Sequence, residues 1–135
     1  MTKARGAVSA ATTWLGVDLV SAGGGEAVLT MPTREEMANR GDVVHGGFIA
    51  FLADTAMGWA MSSALPEGER HYSFDLKLSF IATGRIGERL KAVAKVLHSG
   101  RRTGVAECRI EGEDGRLVAT ATATFFVKLP SGNNE

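Results

Sequence analysis

Between Gly46 and Leu65 the chain runs through twenty residues with a single ionisable side chain, Asp54. At about 100° per residue, Phe48, Phe51, Leu52, Thr55 and Trp59 fall on one helical stripe. Ile49, Ala50, Ala53, Ala56, Met57 and Met61 cover much of the remainder. A helix that is apolar all round must be buried on more than one side, and one sheet covers only one. A second subunit is therefore expected against the rest, giving at least a dimer. A lipid span is disfavoured, because an Asp at mid-bilayer costs roughly 2.5–3.5 kcal/mol and the flanking sequence alternates like strands of a globular sheet.

Those strands are legible on both sides of the helix. WLGVDLV and EAVLTM flank Ser21-Ala22-Gly23-Gly24-Gly25 and read as a hairpin or a bulged long strand. After Pro66, Phe74, Leu76, Leu78 and Phe80 alternate with Ser73, Asp75, Lys77 and Ser79, which predicts one core face and one wet face. Leu90 to Val96, Ala106 to Ile110 and Leu117 to Val127 repeat the pattern, with turns at Ser99-Gly100 and Glu113-Asp114-Gly115. The predicted class is α+β: one long central helix against a five- to six-stranded antiparallel sheet. At 135 residues there is room for one domain, assigned to 14–130, with an N-terminal arm over 1–13 that is a short helix or loose, and a C-terminal tail over 131–135.

Fifteen basic residues balance fifteen acidic ones, so no global field favours nucleic acid or an anionic membrane. A lone cysteine, Cys108, and an N-terminus without a long apolar stretch make the cytoplasm the expected compartment. GxSxG, GxxxxGK, HExxH and CxxC motifs are all missing. His45, His71 and His98 have no ligand spacing, so neither a metal nor a cofactor is expected.

Asp54 is the residue that costs stability where it sits. A structural alternative is a buried Asp satisfied by a neighbouring backbone or hydroxyl group. The functional reading is that a carboxylate desolvated on this helix is raised toward the working range of a general base. Upstream, Asn39-Arg40-Gly41-Asp42-Val43-Val44-His45-Gly46-Gly47 leads into the helix. A glycine helix start offers N–H groups to a carbonyl oxygen or oxyanion without side-chain obstruction. Gly46 and Asp54 lie about 12 Å apart along the axis at 1.5 Å per residue. They cannot grip one carbonyl within a single chain. Two such helices running antiparallel across a two-fold bring Gly46 of one beside Asp54 of the other, giving two shared sites per dimer.

The run from Asn39 through GDVVHGGFIAFLADTAMGWA resembles the signature of the hotdog-fold acyl-CoA thioesterases, specifically the PaaI-like family of phenylacetate pathways. The resemblance takes in LGVDLV, GEAVLTMP, SFDLKLSFIATGRIGERLKAVAKV and LVATATATFFV. It implies that the Gly46 amide polarises a thioester carbonyl, with Asp54 as general base or nucleophile and Asn39 holding the carbonyl or the attacking water. His45 would shape the helix start and bond near the thioester, and Ser73 would orient the water. Strict alternation, however, sets Ser73 opposite Phe74 and Leu76. Met37-Ala38, where many relatives carry a polar residue, bears on substrate range.

The implied substrate is an aryl- or medium-chain acyl-CoA. Lys77 to Arg109 carries eight basic residues against Glu88 and Glu107, and the Ser99-Gly100-Arg101-Arg102 turn is the favoured contact for coenzyme A phosphates. Gly47 is a further expected substrate contact. The expected partners are the acyl-CoA and copies of the same chain, as a dimer and a dimer of dimers, with no nucleic acid and no membrane. Two other readings are a hotdog hydratase or dehydratase and a non-catalytic acyl-CoA binder.

Overall fold

The computed structural model describes residues 9–128. The tail over 131–135 and most of the arm lie outside the described residues. A short helix, α1 (Ala10–Leu15), is capped by Ser9, whose hydroxyl accepts from Thr12 N–H, and is closed by Gly16 at φ 73°. There follow β1 (Asp18–Gly23), β2 (Glu26–Pro32), a 3-10 turn at Glu35–Met37, the long helix α2 (Gly46–Ala64), β3 (Arg70–Phe80), β4 (Arg89–Ser99), β5 (Thr103–Glu111) and β6 (Leu117–Lys128). All six strands form one sheet in the order β1-β2-β4-β5-β6-β3, with every neighbouring pair antiparallel. The glycine run between β1 and β2 is a hairpin turn, with Gly24 and Gly25 both at positive φ. Among the described residues no helix is long and apolar enough to cross a membrane.

The helix lies on a floor of small side chains. Across the sheet, Ala27, Ala94, Cys108 and Ala121 stand in register, and Leu29, Ala92, Ile110 and Ala119 form the next row. All of these are buried, as are Ile49, Leu52, Ala53, Ala56, Met57, Ala60 and Met61 on the facing stripe of α2. Short residues on both surfaces let helix and sheet approach closely, and each fully buried large side chain contributes roughly 1.5–3 kcal/mol. Burial pushes the Cys108 thiol up to about 12, so it stays protonated. At its C-terminus α2 stops where Leu65, held extended at φ -97° and ψ 152°, precedes Pro66.

The predicted core face of β3 is only partly realised. This strand is the sheet edge beyond the helix, and Phe74, Leu76 and Phe80 remain 59%, 39% and 56% exposed. The strict alternation also fails. The register with β6 slips between Ser73 and Asp75, so Phe74 is an extra residue. Ser73 pairs with buried Phe125, and Leu76 with buried Ala123. The bulge thus returns Ser73 to the helix-side face and removes the conflict posed by its spacing from Leu76.

Candidate active site

Asp54 sits on the flank of α2 that the sheet leaves uncovered. A cleft of about 430 Å³ opens there, lined by Ser9 and Thr12 of α1, by Phe51, Asp54, Thr55, Gly58, Trp59 and Ser62 of α2, and by His71 of β3. The carboxylate is partly exposed in the single chain. Within one chain the six-stranded sheet covers one stripe of the helix and Asp54 lies beside that stripe. No hydrogen bond or ion pair among the described residues occupies the carboxylate, which argues against a purely structural Asp.

His71 is a cleft residue that the sequence pattern did not single out. Its Nε2 lies 2.7 Å from Ser62 Oγ, and its ring packs edge-to-face on Phe125 at 5.3 Å. Nδ1 is buried without a hydrogen-bond partner among the described residues. Burial holds its pKa below the ordinary 6.5, opposed by the lesser effect of the Asp54 charge. The signal was present in the face relation: once Ser73 is placed toward the helix, His71, two residues earlier, shares that face. Because the folded state disfavours protonated His71, its stabilising contribution is complete above the unfolded pKa and lost as pH falls from 6.5 toward the lower folded value. Denaturant midpoints measured from about pH 7 to about pH 5 should therefore fall more steeply for the wild type than for His71→Gln. Parallel slopes would contradict this assignment.

At the other end of α2 the chain builds a tight loop. Asn39 N–H donates to Val43 O at 2.8 Å, Gly41 turns at φ 76°, and Ala38 bridges Val44. His45 caps the helix: its Nδ1 accepts from Gly47 N–H at 2.9 Å. That bond uses the Gly47 donor, so Gly47 cannot offer its amide to a ligand as its place at the helix start suggested. With Nδ1 so engaged, Nε2 is the ring nitrogen left to face a ligand. Gly46 N–H has no partner among the described residues. A β-carbon on Gly46 would meet Phe80 Cζ at 2.7 Å, so glycine is what lets β3 pack against the helix start.

In the single chain these groups do not converge. The Asp54 cleft is lined by none of Asn39, His45, Gly46, Ser73 or the Ser99–Arg102 turn. That turn lies at the end of the sheet nearer the helix C-terminus, where a β-carbon on Gly104 would meet Met61. Arg101 and Arg102 are exposed and carry no ion pair among the described residues. Three other basic residues of the stretch are placed differently. Lys91 stands opposite Glu111, Lys95 stands between Glu26 and Glu107, and Arg109 pairs with Glu111 at 3.4 Å. They belong to a charge-balanced outer sheet face turned away from the helix.

The thioesterase superfamily profile matches residues 41–119, a span holding Gly46, Asp54, Ser73 and the arginine turn. The acyl-coenzyme A thioesterase PaaI of Escherichia coli is 35% identical over 105 residues, which cover 78% of this chain and 73% of that protein. The solved structure of the E. coli PaaI protein from the phenylacetic acid degradation operon superposes with a TM-score of 0.85 at 31% identity, covering 91% of this chain and 87% of that one. Protein smu.793 of Streptococcus mutans, solved bound to acetyl CoA, superposes at 0.78 with 26% identity, covering 86% and 91%. With the helix-on-sheet architecture, the profile match and these relatives in agreement, the chain belongs to the thioesterase superfamily and has its hotdog fold.

Proposed function

We propose that this protein is an acyl-CoA thioesterase, hydrolysing an aryl- or medium-chain acyl-CoA to the free acid and coenzyme A at two shared sites of a homodimer. The observation that carries this reading is Asp54: a carboxylate with no hydrogen-bond or ion-pair partner among the described residues, beside the apolar side chains of Phe51 and Trp59, on a helix whose first amide has no partner among them either. Water attacks the thioester carbonyl with Asp54 taking its proton, or Asp54 attacks first and water releases the acyl group. The Gly46 amide and Asn39 of the other subunit stabilise the oxyanion. Ser73, on the helix-side face, orients the water. On the general-base route the C–S bond breaks as the tetrahedral intermediate collapses, and protonated Asp54 returns its proton to the thiolate. On the nucleophilic route the C–S bond breaks as Asp54 takes the acyl group, before water releases it, and the thiolate is protonated by solvent water. PaaI is by name an acyl-coenzyme A thioesterase and smu.793 holds acetyl CoA, which supports the substrate class. The Gly47 amide occupying His45 Nδ1 disfavours the hydratase reading.

The exposed β3 edge supports the dimer. An eleven-residue edge strand carrying half-exposed Leu76 and Phe80 is a template for pairing. Antiparallel pairing of two copies about a two-fold sets their α2 helices antiparallel, as the shared site requires. Tyr72 and Phe126, paired on the outer face and 50% and 45% exposed, give such dimers a patch for pairing further. The unit proposed is the 14–130 domain, working in the cytoplasm.

Free thiol should be released catalytically from a panel of phenylacetyl-, benzoyl- and octanoyl-CoA. Stoichiometric binding without release, or hydration of an enoyl-CoA without release, would replace this reading. Replacing Arg101 and Arg102 together with Ala should raise KM for acyl-CoA about tenfold, equivalent to ~1.4 kcal/mol, with kcat unchanged. The same variant should treat the acyl-pantetheine thioester, which lacks the nucleotide phosphates, like the wild type. An equal loss on both substrates would remove the turn from phosphate binding.

A further inference from the structure

Glu88, just before β4, is only 8% exposed. Its Oε2 accepts from Arg85 N–H at 2.7 Å and from Arg116 Nη2, and its Oε1 accepts from Glu113 N–H at 3.0 Å. Arg116 also bonds Thr83 O and the Asp114 carboxylate. On the other side of the same turn, the buried Thr33 hydroxyl donates to Glu88 O at 2.6 Å and accepts from Gly87 N–H. An ion pair withdrawn from water is a costly way to secure a surface turn, so the question is what the turn carries.

It carries the loop that leads to the Gly46 amide. Val44 N–H donates to Gly84 O at 2.9 Å, Ile86 N–H donates to Asp42 O at 3.0 Å, and Val43 bridges Arg85. The remaining backbone bonds of the 39–45 loop are internal, run to Met37, or enter the first turn of α2, where Phe48 N–H donates to His45 O at 3.0 Å. Its placement against the sheet is therefore set through residues 84–86. We propose that Glu88, clamped by Arg116, is a positioning residue for the oxyanion side of the site: it holds the 84–86 turn that fixes the loop carrying Asn39. This inference rests on the role proposed above for Asn39.

A double-substitution cycle in the full-length protein tests it. Asn39→Ala should lower kcat about 10²–10³-fold if it donates to the oxyanion. Glu88→Gln should lower kcat about tenfold with KM little changed, because displacement of a donor costs rate and not ground-state binding. In the Asn39→Ala background Glu88→Gln should cost less than about twofold, since the group it positions is already gone. Arg116→Lys, which keeps the charge without the fork, should follow the same pattern more weakly and serves if Glu88→Gln does not fold.

A second readout separates the two ideas. Glu88→Gln should accelerate hydrogen exchange at the Val44 and Ile86 amides more than at Ala94 in the sheet centre. Additive losses in the cycle, or an unchanged kcat in Glu88→Gln, would overturn the positioning role. If Asn39→Ala alone leaves kcat unchanged, the reading of Asn39 fails. The exchange data then decide whether Glu88 holds the loop: uniform acceleration would overturn that too.

Discussion

Asp54→Asn is expected to reduce thioester turnover by at least about 10²–10⁴-fold, the range a positioned general base supplies, while leaving the protein folded. The substitution keeps size and shape but removes the group that accepts the proton from water or attacks the thioester. Stability should be unaffected or improved. Asp54 accepts no hydrogen bond among the described residues and lies on the open flank of α2, so no internal contact is lost, and Asn and Asp are similar in helix propensity. Thiol release under saturating acyl-CoA gives kcat, and thermal unfolding checks the fold. A loss of only a fewfold in kcat would return Asp54 to a structural role. A large drop in melting temperature would mean that the carboxylate stabilises the chain through a contact absent from the single subunit.

Much of this architecture follows from side-chain periodicity alone. The alternation of β4, β5 and β6 and the apolar run of α2 define which faces meet, and the glycine and proline positions end the elements where they stop. What periodicity does not carry is an irregularity in the backbone. The extra residue at Phe74 has no sequence mark of its own, yet it decides which face Ser73 and His71 share with Leu76. His71 was legible only as an isolated histidine. Its role as a neighbour of Asp54 arises from β3 crossing beside α2, a contact between segments joined by a loop of ordinary appearance.

What covers Asp54 is not legible within one chain for a related reason. An apolar helix reports that something covers it, and not which part of the cover belongs to the same chain. Six strands hide the stripe from Ile49 to Met61 and leave Phe51, Asp54 and Trp59 on the open side. Charge counting along the sequence merges two populations: Lys91, Lys95 and Arg109 face acidic partners on the outer sheet, while Arg101 and Arg102 lie in a turn with no ion pair among the described residues. His45 illustrates the opposite case. Its place just before two glycines marks a helix start, and the structure gives it the capping bond that this position calls for.

Subunit mixing decides whether each site joins Gly46 of one subunit to Asp54 of the other. Gly46→Val places a branched side chain over the amide. The β-carbon would press on the Phe80 ring, but that ring is 56% exposed and can swing aside. Asp54→Asn and Gly46→Val chains are each expected to be inactive as homodimers. In a mixed dimer, one site then receives both defects and the other receives wild-type Gly46 with wild-type Asp54. With exchange proven by co-purification of differently tagged chains, activity should recover to about half the wild-type value per mixed dimer. If both groups of one chain served the same site, every site would carry one defect, and activity staying near zero in proven mixed dimers would contradict the shared site.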